Sequence, residues 1–414
     1  MRVYVLTKDG NPLMPCKPAI ARLLLKDGKA VVKQRTPFTI QLNYKGEEYK
    51  QEVTLGIDSG YEHTGLSAVT VKEELYASEV QLRKDIVKLN SERRSYRRTR
   101  RNRKTRYRAA RWLNRRKPEG WIAPSLQHKL DSHIKVIAGI YSILPVTGCI
   151  VEVANFDIQK IKNPDIEGRD YQEGNKLGFW NTREYVLHRD GHICRHCKGK
   201  SKDKVLNVHH LTSRQTGGNK PDNLITLCNS CHKKYHRGDI ILKAEKPNNF
   251  RGETFMSSVR WKLVNTLNLR YDNVSHTYGH ITKNKRIRYN IKKSHINDAF
   301  IIAGGTGQDR ISPYLISQVR RQNRKLYKGS RSHIRNTASR YIKGFQRYDK
   351  ILFEGQKCFI FGRRRTGYFD LRKLNGDSIH RSASYKNLKL LERAKTLLIE
   401  RSGNSSHTKS KILV

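Results

Sequence analysis

Apolar residues in this chain fall into short alternating runs and a few helical stripes, separated by polar stretches marked with glycine and proline. Residues 1–52 predict a small α/β unit. It has a strand in MRVYVLT, a turn at Asp9-Gly10, a helix over CKPAIARLLLKDG closed by Gly28, and strands in AVVKQR and FTIQLNY. Within it, Asn11-Pro12-Leu13-Met14-Pro15 reads as a proline-bounded loop. Next, VTLGIDSGYEHTGLSAVT alternates into Gly56-Ile57-Asp58-Ser59-Gly60, turns, and returns as a second apolar strand. Ser125 is the expected N-cap of a helix whose apolar positions Leu126, Leu130, Ile134, Ile137, Tyr141 and Leu144 recur at helical spacing. GCIVEVANFD is an apolar strand interrupted by Glu152, and SHINDAFIIAGGT opens a helix with His295 and Asp298 on one face. The polar stretches Asp157 to Trp180 and KAEKPNNFRG read as connectors, and SSVRWKLVNTLNLRY resumes a helix. KILFEG, KCFIFGRRR, GYFDLRKLNG and NLKLLERAKTLLIE alternate between glycines and predict a small antiparallel barrel or sheet. The tail from Ser402 reads as disordered.

Charge changes this picture. Lys and Arg number 84 against 36 Asp and Glu in 414 residues, a formal net charge of +48. Self-repulsion of that size calls for a polyanion, so nucleic acid is the expected partner. The excess is concentrated in RRSYRRTRRNRKTRYRAARWLNRRK, residues 93–117, where fourteen of twenty-five positions are Lys or Arg and none is acidic. As a helix it would run roughly 38 Å with cations on every face. Arg outnumbers Lys there by twelve to two, which favours forked phosphate contacts. Arg93, Arg94, Arg97, Arg98, Arg100, Arg101, Arg103, Arg106, Arg108, Arg111 and Arg115 are the expected nucleic-acid contacts, with Arg363, Arg364 and Arg365 on a later turn. No run of eighteen apolar residues and no charged-then-apolar N-terminus occur, so neither a membrane span nor a secretory signal is expected.

Four of the seven cysteines form two CxxC pairs, Cys194 with Cys197 and Cys228 with Cys231. Four thiolates at this spacing close a tetrahedral zinc site, which a short polar segment needs because it buries too little apolar surface to fold alone. Cys16, Cys149 and Cys358 are scattered singly, as suits a reducing compartment. His209, His210, Asn223, His232 and His236 accompany the cysteines. They are either surface residues of a zinc ribbon or the ligands and base of a second metal. Elsewhere, Asp58 sits between glycines at a strand end, and Glu152 lies in an apolar strand where an unpaired carboxylate is costly unless it meets a cation.

The order His-His, Asn, Cys-His resembles the HNH nuclease family and its ββα-metal finger. The resemblance implies His210 as general base, Asn223 as the residue that pins the loop and orients His210 through its amide, and His209, His232 and His236 around a magnesium ion. Asp58, Glu152, His295 and Asp298 resemble, in order and type, the carboxylate set of RuvC-like nucleases. That family has the RNase H fold and uses magnesium. The whole chain resembles the IscB family of transposon-associated, RNA-guided DNA nucleases, relatives of the type II CRISPR effector. What this implies is an α/β multidomain protein. It would comprise a PLMP unit (1–52), RuvC segments (53–81, 119–178, 247–318), an arginine-rich bridge helix (82–118), a zinc-containing HNH domain (179–246) and a basic β-rich C-terminal module (319–414). That module would bind RNA and read a short motif beside the target. The implied partners are a large structured guide RNA and double-stranded target DNA, with no membrane. A monomeric cytoplasmic ribonucleoprotein would form in a prokaryote, nucleoid-associated on target. The HNH site would cut the guide-paired strand and the RuvC site the displaced one. Two other readings compete: an autonomous homing or restriction-type HNH endonuclease, and a non-catalytic, zinc-containing RNA-binding protein.

Overall fold

The computed structural model describes residues 2–46, 49–102, 121–153, 181–212, 221–242, 251–320 and 339–402. It divides into two compact units, residues 1–154 with 255–414, and residues 155–254. The first begins with β1 (Val3–Leu6), β2 (Pro12–Cys16), α1 (Pro18–Lys26), β3 (Ala30–Gln34) and β4 (Thr39–Leu42), a sheet ordered β2-β1-β4-β3. Val3, Val5, Ala21 and Ile40 close its core, and Gly28 takes the left-handed φ of +66° that ends α1. The expected loop at residues 11–15 is instead mostly strand β2. It pairs antiparallel with β1 at the sheet edge, where prolines are tolerated.

The chain continues through β5 (Thr54–Ser59), β6 (His63–Val69), β7 (Glu74–Gln81), α2 (Ile86–Asn102), α3 (Pro124–Tyr141) and β8 (Gly148–Val153). Helix α3 starts one residue earlier than expected. Pro124 occupies its first turn and Ala123 the N-cap position, so Ser125 lies inside the helix. Proline's fixed φ and missing N–H suit that first position.

The second unit holds α4 (Thr182–Arg189), β9 (Leu206–His210), β10 (Leu224–Cys228) and α5 (Asn229–Arg237), with β9 and β10 antiparallel. Its small core is Ile225, Leu227 and the buried cysteines.

The remainder of the first unit comprises α6 (Arg251–Asn268), β11 (Val274–Tyr278), α7 (Gly279–Arg288), α8 (His295–Ile302), β12 (Tyr314–Gln318), β13 (Lys350–Phe353), β14 (Gln356–Arg363), β15 (Tyr368–Arg372), β16 (Ser378–Ser384), β17 (Lys389–Glu392) and β18 (Leu397–Arg401). A seven-stranded sheet runs β11-β8-β5-β6-β7-β12-β18. Strands β5, β6 and β7 are antiparallel neighbours, β8 is parallel to β5, and β11 is parallel to β8. Alternation along β5 assigns its two faces. Leu55 and Ile57 enter the main core with Val136, Ile137 and Ile140 of α3 and Val259 and Leu263 of α6. Gly56 lies on the other face, against α8, where a Cβ would stand 2.1 Å from the Ala299 carbonyl oxygen. Ile57 is fully buried, and its truncation to Ala would cost about 2–5 kcal/mol.

The expected C-terminal module is divided. Strands β13 to β17 form a separate antiparallel sheet, but β18 joins the seven-stranded sheet beside β12. Leu398 is buried there and gains a main-chain ladder, so packing rather than sequence continuity decides its sheet. Among the described residues, no helix is long and apolar enough to cross a membrane.

Two candidate metal centres

The first centre is a row across the large sheet. Register sets Ile57 beside Val151 on β8, which makes Asp58 and Glu152 lateral neighbours whose side chains share a face. On the other side Asp58 pairs with Gly65 of β6. A Cβ on Gly65 would lie 1.8 Å from the His295 carbonyl oxygen, so glycine there lets the start of α8 rest directly on the strand. Ser294 caps that helix, its Oγ accepting from Asn297 N at 3.1 Å. His295 and Asp298 thereby reach the row. His295 Nδ1 donates to Asp58 Oδ2 at 2.6 Å, and Arg286 of α7 stands 3.1 Å from Asp298 Oδ1.

Electrostatics follow from this crowding. Burial, then repulsion from Asp58, pushes Glu152 up to about 7. The same two causes raise Asp298, and the hydrogen bond to Asp58 raises His295. Asp298 Oδ1 is buried beside the Arg286 guanidinium, without a well-formed hydrogen bond. Carboxylate oxygens crowded into mutual repulsion suit a hard divalent cation such as magnesium. The carboxylates are not drawn to the spacing of a closed ligand cage; among the described residues, sets with all ligand atoms within 4.8 Å are made by four cysteines and by three histidines.

Those two sets lie in the second unit. Cys194, Cys197, Cys228 and Cys231 converge, with Cys197 Sγ and Cys228 Sγ 3.8 Å apart. That matches the edge of a zinc–thiolate tetrahedron with bonds of about 2.3 Å. Asp203 reaches across to cap α5, accepting from Ser230 N at 2.8 Å and from its Oγ at 2.6 Å. The helix so fixed carries His232 and His236 one turn apart, their Nε2 atoms 3.3 Å from each other. His209 on β9 faces both, and its buried Nε2 has no hydrogen-bond partner. Burial, then its histidine neighbours, lowers His209 to about 4, so it is a neutral ligand at ordinary pH. Three imidazoles without a carboxylate suit a borderline cation of the zinc or nickel kind and do not fit magnesium, which prefers oxygen.

His210 follows His209 on an extended strand, so the two side chains diverge and do not share one ion. Asn223 is fully buried: its Oδ1 accepts from Thr212 N at 2.8 Å and its Nδ2 donates to Thr212 O at 3.0 Å. It thus clamps the chain two residues beyond His210. Arg93, Arg94, Arg97, Arg98 and Arg101 are exposed along α2 and Arg100 is half-buried; Arg103, Arg106, Arg108, Arg111 and Arg115 lie outside the described residues. Arg363 ends β14 and donates to the Arg340 carbonyl, Arg364 donates to Ser382 Oγ at 2.7 Å, and Arg365 is exposed.

Sequence reasoning missed Arg260 and Arg286. Arg260 donates to Ser59 O at 2.8 Å and lowers Glu152 from across the site. Arg260 reaches Ser59 from a helix far along the chain and Arg286 comes from the helix just before Asp298, and neither carries a local signal to mark it.

Residues 194–238 match the family described as HNH endonuclease, a span that coincides with the thiolate and imidazole sets. This match supports nuclease activity. Residues 3–174 match the family described as RRXRR protein, and Arg97-Arg98-Thr99-Arg100-Arg101 spells that pattern. No curated protein matches. Among solved structures the chain is similar to Streptococcus thermophilus Cas9 in complex with the GGAA PAM, at 15% identity and a TM-score of 0.27, covering 45% of this chain and 26% of that one. The same protein with the AGAA PAM is similar at 15% identity and a TM-score of 0.26, over 44% and 26% of the two chains. The chain thus spans about a quarter of the length of those proteins.

Proposed function

We propose that this chain is an RNA-guided DNA endonuclease of the IscB type, with one cutting centre in the finger and another in the acidic row. The observation that carries this reading is the pairing, in one chain, of an HNH match with a separate row of Asp58, Glu152, His295 and Asp298 on a sheet ordered like an RNase H core. In that order an antiparallel triplet, β7-β6-β5, is extended by parallel β8 and β11. The boundaries proposed from sequence are kept, with β18 returned to the core. The exposed arginines of α2 and the net charge of +48 support a large RNA as partner, with base pairing to the guide supplying specificity.

In the finger His210 takes a proton from the attacking water while Asn223 holds the strand end that carries it. His209, His232 and His236 hold the cation. In the row, Asp58, Glu152 and Asp298 are the ligands, and His295, with Nδ1 committed to Asp58, keeps Nε2 able to accept a proton. Bound divalent ions supply charge neutralisation at the phosphate and an acidified water.

Strand-resolved cleavage of an end-labelled duplex by the complex isolated with its RNA tests the proposal. His210→Ala should abolish cutting of the guide-paired strand and Asp58→Ala that of the other, each by about 10³-fold or more. Loss of both cuts in either variant, at unchanged binding, would overturn two independent centres. Absence of co-purifying RNA at low salt would overturn guidance.

A further inference from the structure

We infer that His63 and Glu79 form a positioning pair for His295, a role that rests on reading the acidic row as a nuclease centre. Asp58, Gly65 and Glu79 lie in one line across β5, β6 and β7, because Asp58 pairs with Gly65 and Gly65 with Glu79. The missing side chain at Gly65 opens a slot in that line, and the first turn of α8 settles into it. His295 therefore stands between two carboxylates. It touches Asp58 directly, with Nδ1 and Oδ2 2.6 Å apart. It meets Glu79 through an intermediary: His63 Nδ1 donates to Glu79 Oε1 at 3.0 Å, and the His63 ring lies parallel to that of His295, at 5° and a centroid distance of 5.8 Å.

A single hydrogen bond to Asp58 fixes one atom of the His295 ring and leaves the ring plane free to swing about it. A second ring stacked at 5.8 Å, itself held in plane by a carboxylate, removes that freedom. The pair does little for stability, since the side chains of His63 and Glu79 are 33% and 31% exposed and such pairs contribute about 0–1 kcal/mol. Orientation of the reacting imidazole is the job left for it. A Cβ on Gly60 would stand 2.1 Å from the His63 carbonyl oxygen, so glycine there permits the tight turn that delivers His63 to the stack.

The test uses the RNA-loaded complex, saturating duplex with each strand labelled, and a thermal melt of every variant. His63→Ala should slow the Asp58-dependent cut about tenfold at saturation, with KM, the other strand's rate and the melting midpoint unchanged. His63→Phe keeps a flat ring on His295 but loses the Glu79 anchor, so it should recover part of the rate and, like Glu79→Ala, cost about threefold. Wild-type cutting by His63→Ala, no rescue by His63→Phe, or a parallel fall in both strands and in melting midpoint would each overturn the pair. Asp58→Ala separates the two levels. If it abolishes one cut while His63→Ala is silent, only the positioning role fails; if it spares both cuts, the reading of the row fails as well.

Discussion

The finger and the acidic row assemble their candidate cation ligands by opposite routes. In the finger, seven candidate ligands come from Cys194 to His236, a stretch whose buried apolar residues are little more than Leu224, Ile225, Leu227 and three of its four cysteines. In the row, three carboxylates come from positions as far apart as Asp58 and Asp298, and a core of fully buried strands and helices brings them together. The finger's candidate ligands are soft or borderline; the row's are hard, mutually repelling, and answered in the protein itself by His295, Arg286 and Arg260. On the proposed reading, the small unit would borrow its stability from metal, whereas the large one would spend part of its stability on holding a metal site ready.

The largest effect that would break this contrast is on folding. Removing zinc with a chelator, or Cys231→Ser, should withdraw on the order of 10 kcal/mol from the finger and leave the large unit folded. Calorimetry should then show the smaller transition gone and the larger one in place; a joint shift of both would show that the units do not depend on metal differently.

Proton competition should separate the centres more gently. Glu152, raised to about 7, must be ionised to bind a cation, so manganese affinity at the row should climb up to tenfold per pH unit towards 7 and then level off. His209, lowered to about 4, is already neutral at pH 5.5, so its own protonation should not displace the finger's ion there. With zinc kept on the cysteines and the row and histidine sites empty, the signs also oppose. The Glu152 proton stabilises the folded row below the ordinary glutamate value, a contribution lost as pH rises through about 7. Folding of the finger instead weakens as pH falls from about 6.5, where unfolded histidine begins to bind protons, towards 4. Metal titrations and melts from pH 5 to 8, with Asp58→Ala as the blank for the row, would check both signs.

The smallest effect compares two helix caps. Asn181 Oδ1 accepts from Glu184 N at 2.9 Å in the finger, and Ser294 does the same work for α8. Each Ala replacement should cost about 1 kcal/mol in a urea melt. Only Ser294→Ala, next to His295, should also slow the cut made at the row.

How much of this was legible in the sequence follows the same division. Cys194, Cys197, Cys228, Cys231 and the histidines declare themselves because zinc geometry leaves a local spacing. Asp58 and Glu152 were visible as odd carboxylates in apolar strands, but their being neighbours is a fact of strand register that no local pattern carries. His63 and Glu79 read as ordinary polar positions of two strands until pairing sets Glu79 opposite Gly65. The proline-rich segment of β2 and the return of β18 were misread for a related reason: edge position and sheet membership are decided by partners distant in the chain.

That return of β18 has an architectural consequence. Where the chain leaves β12 and where it re-enters β18, Val319 N and Thr396 O are 2.9 Å apart, so the five-stranded sheet is a loop-out from a closed hairpin of the core. A segment whose two ends meet at adjacent backbone atoms can be exchanged, enlarged or shortened while the strands that frame it stay paired. On the proposed reading, the scaffold would thereby be free to acquire new target-facing surfaces without rebuilding the sheet that carries the acidic row.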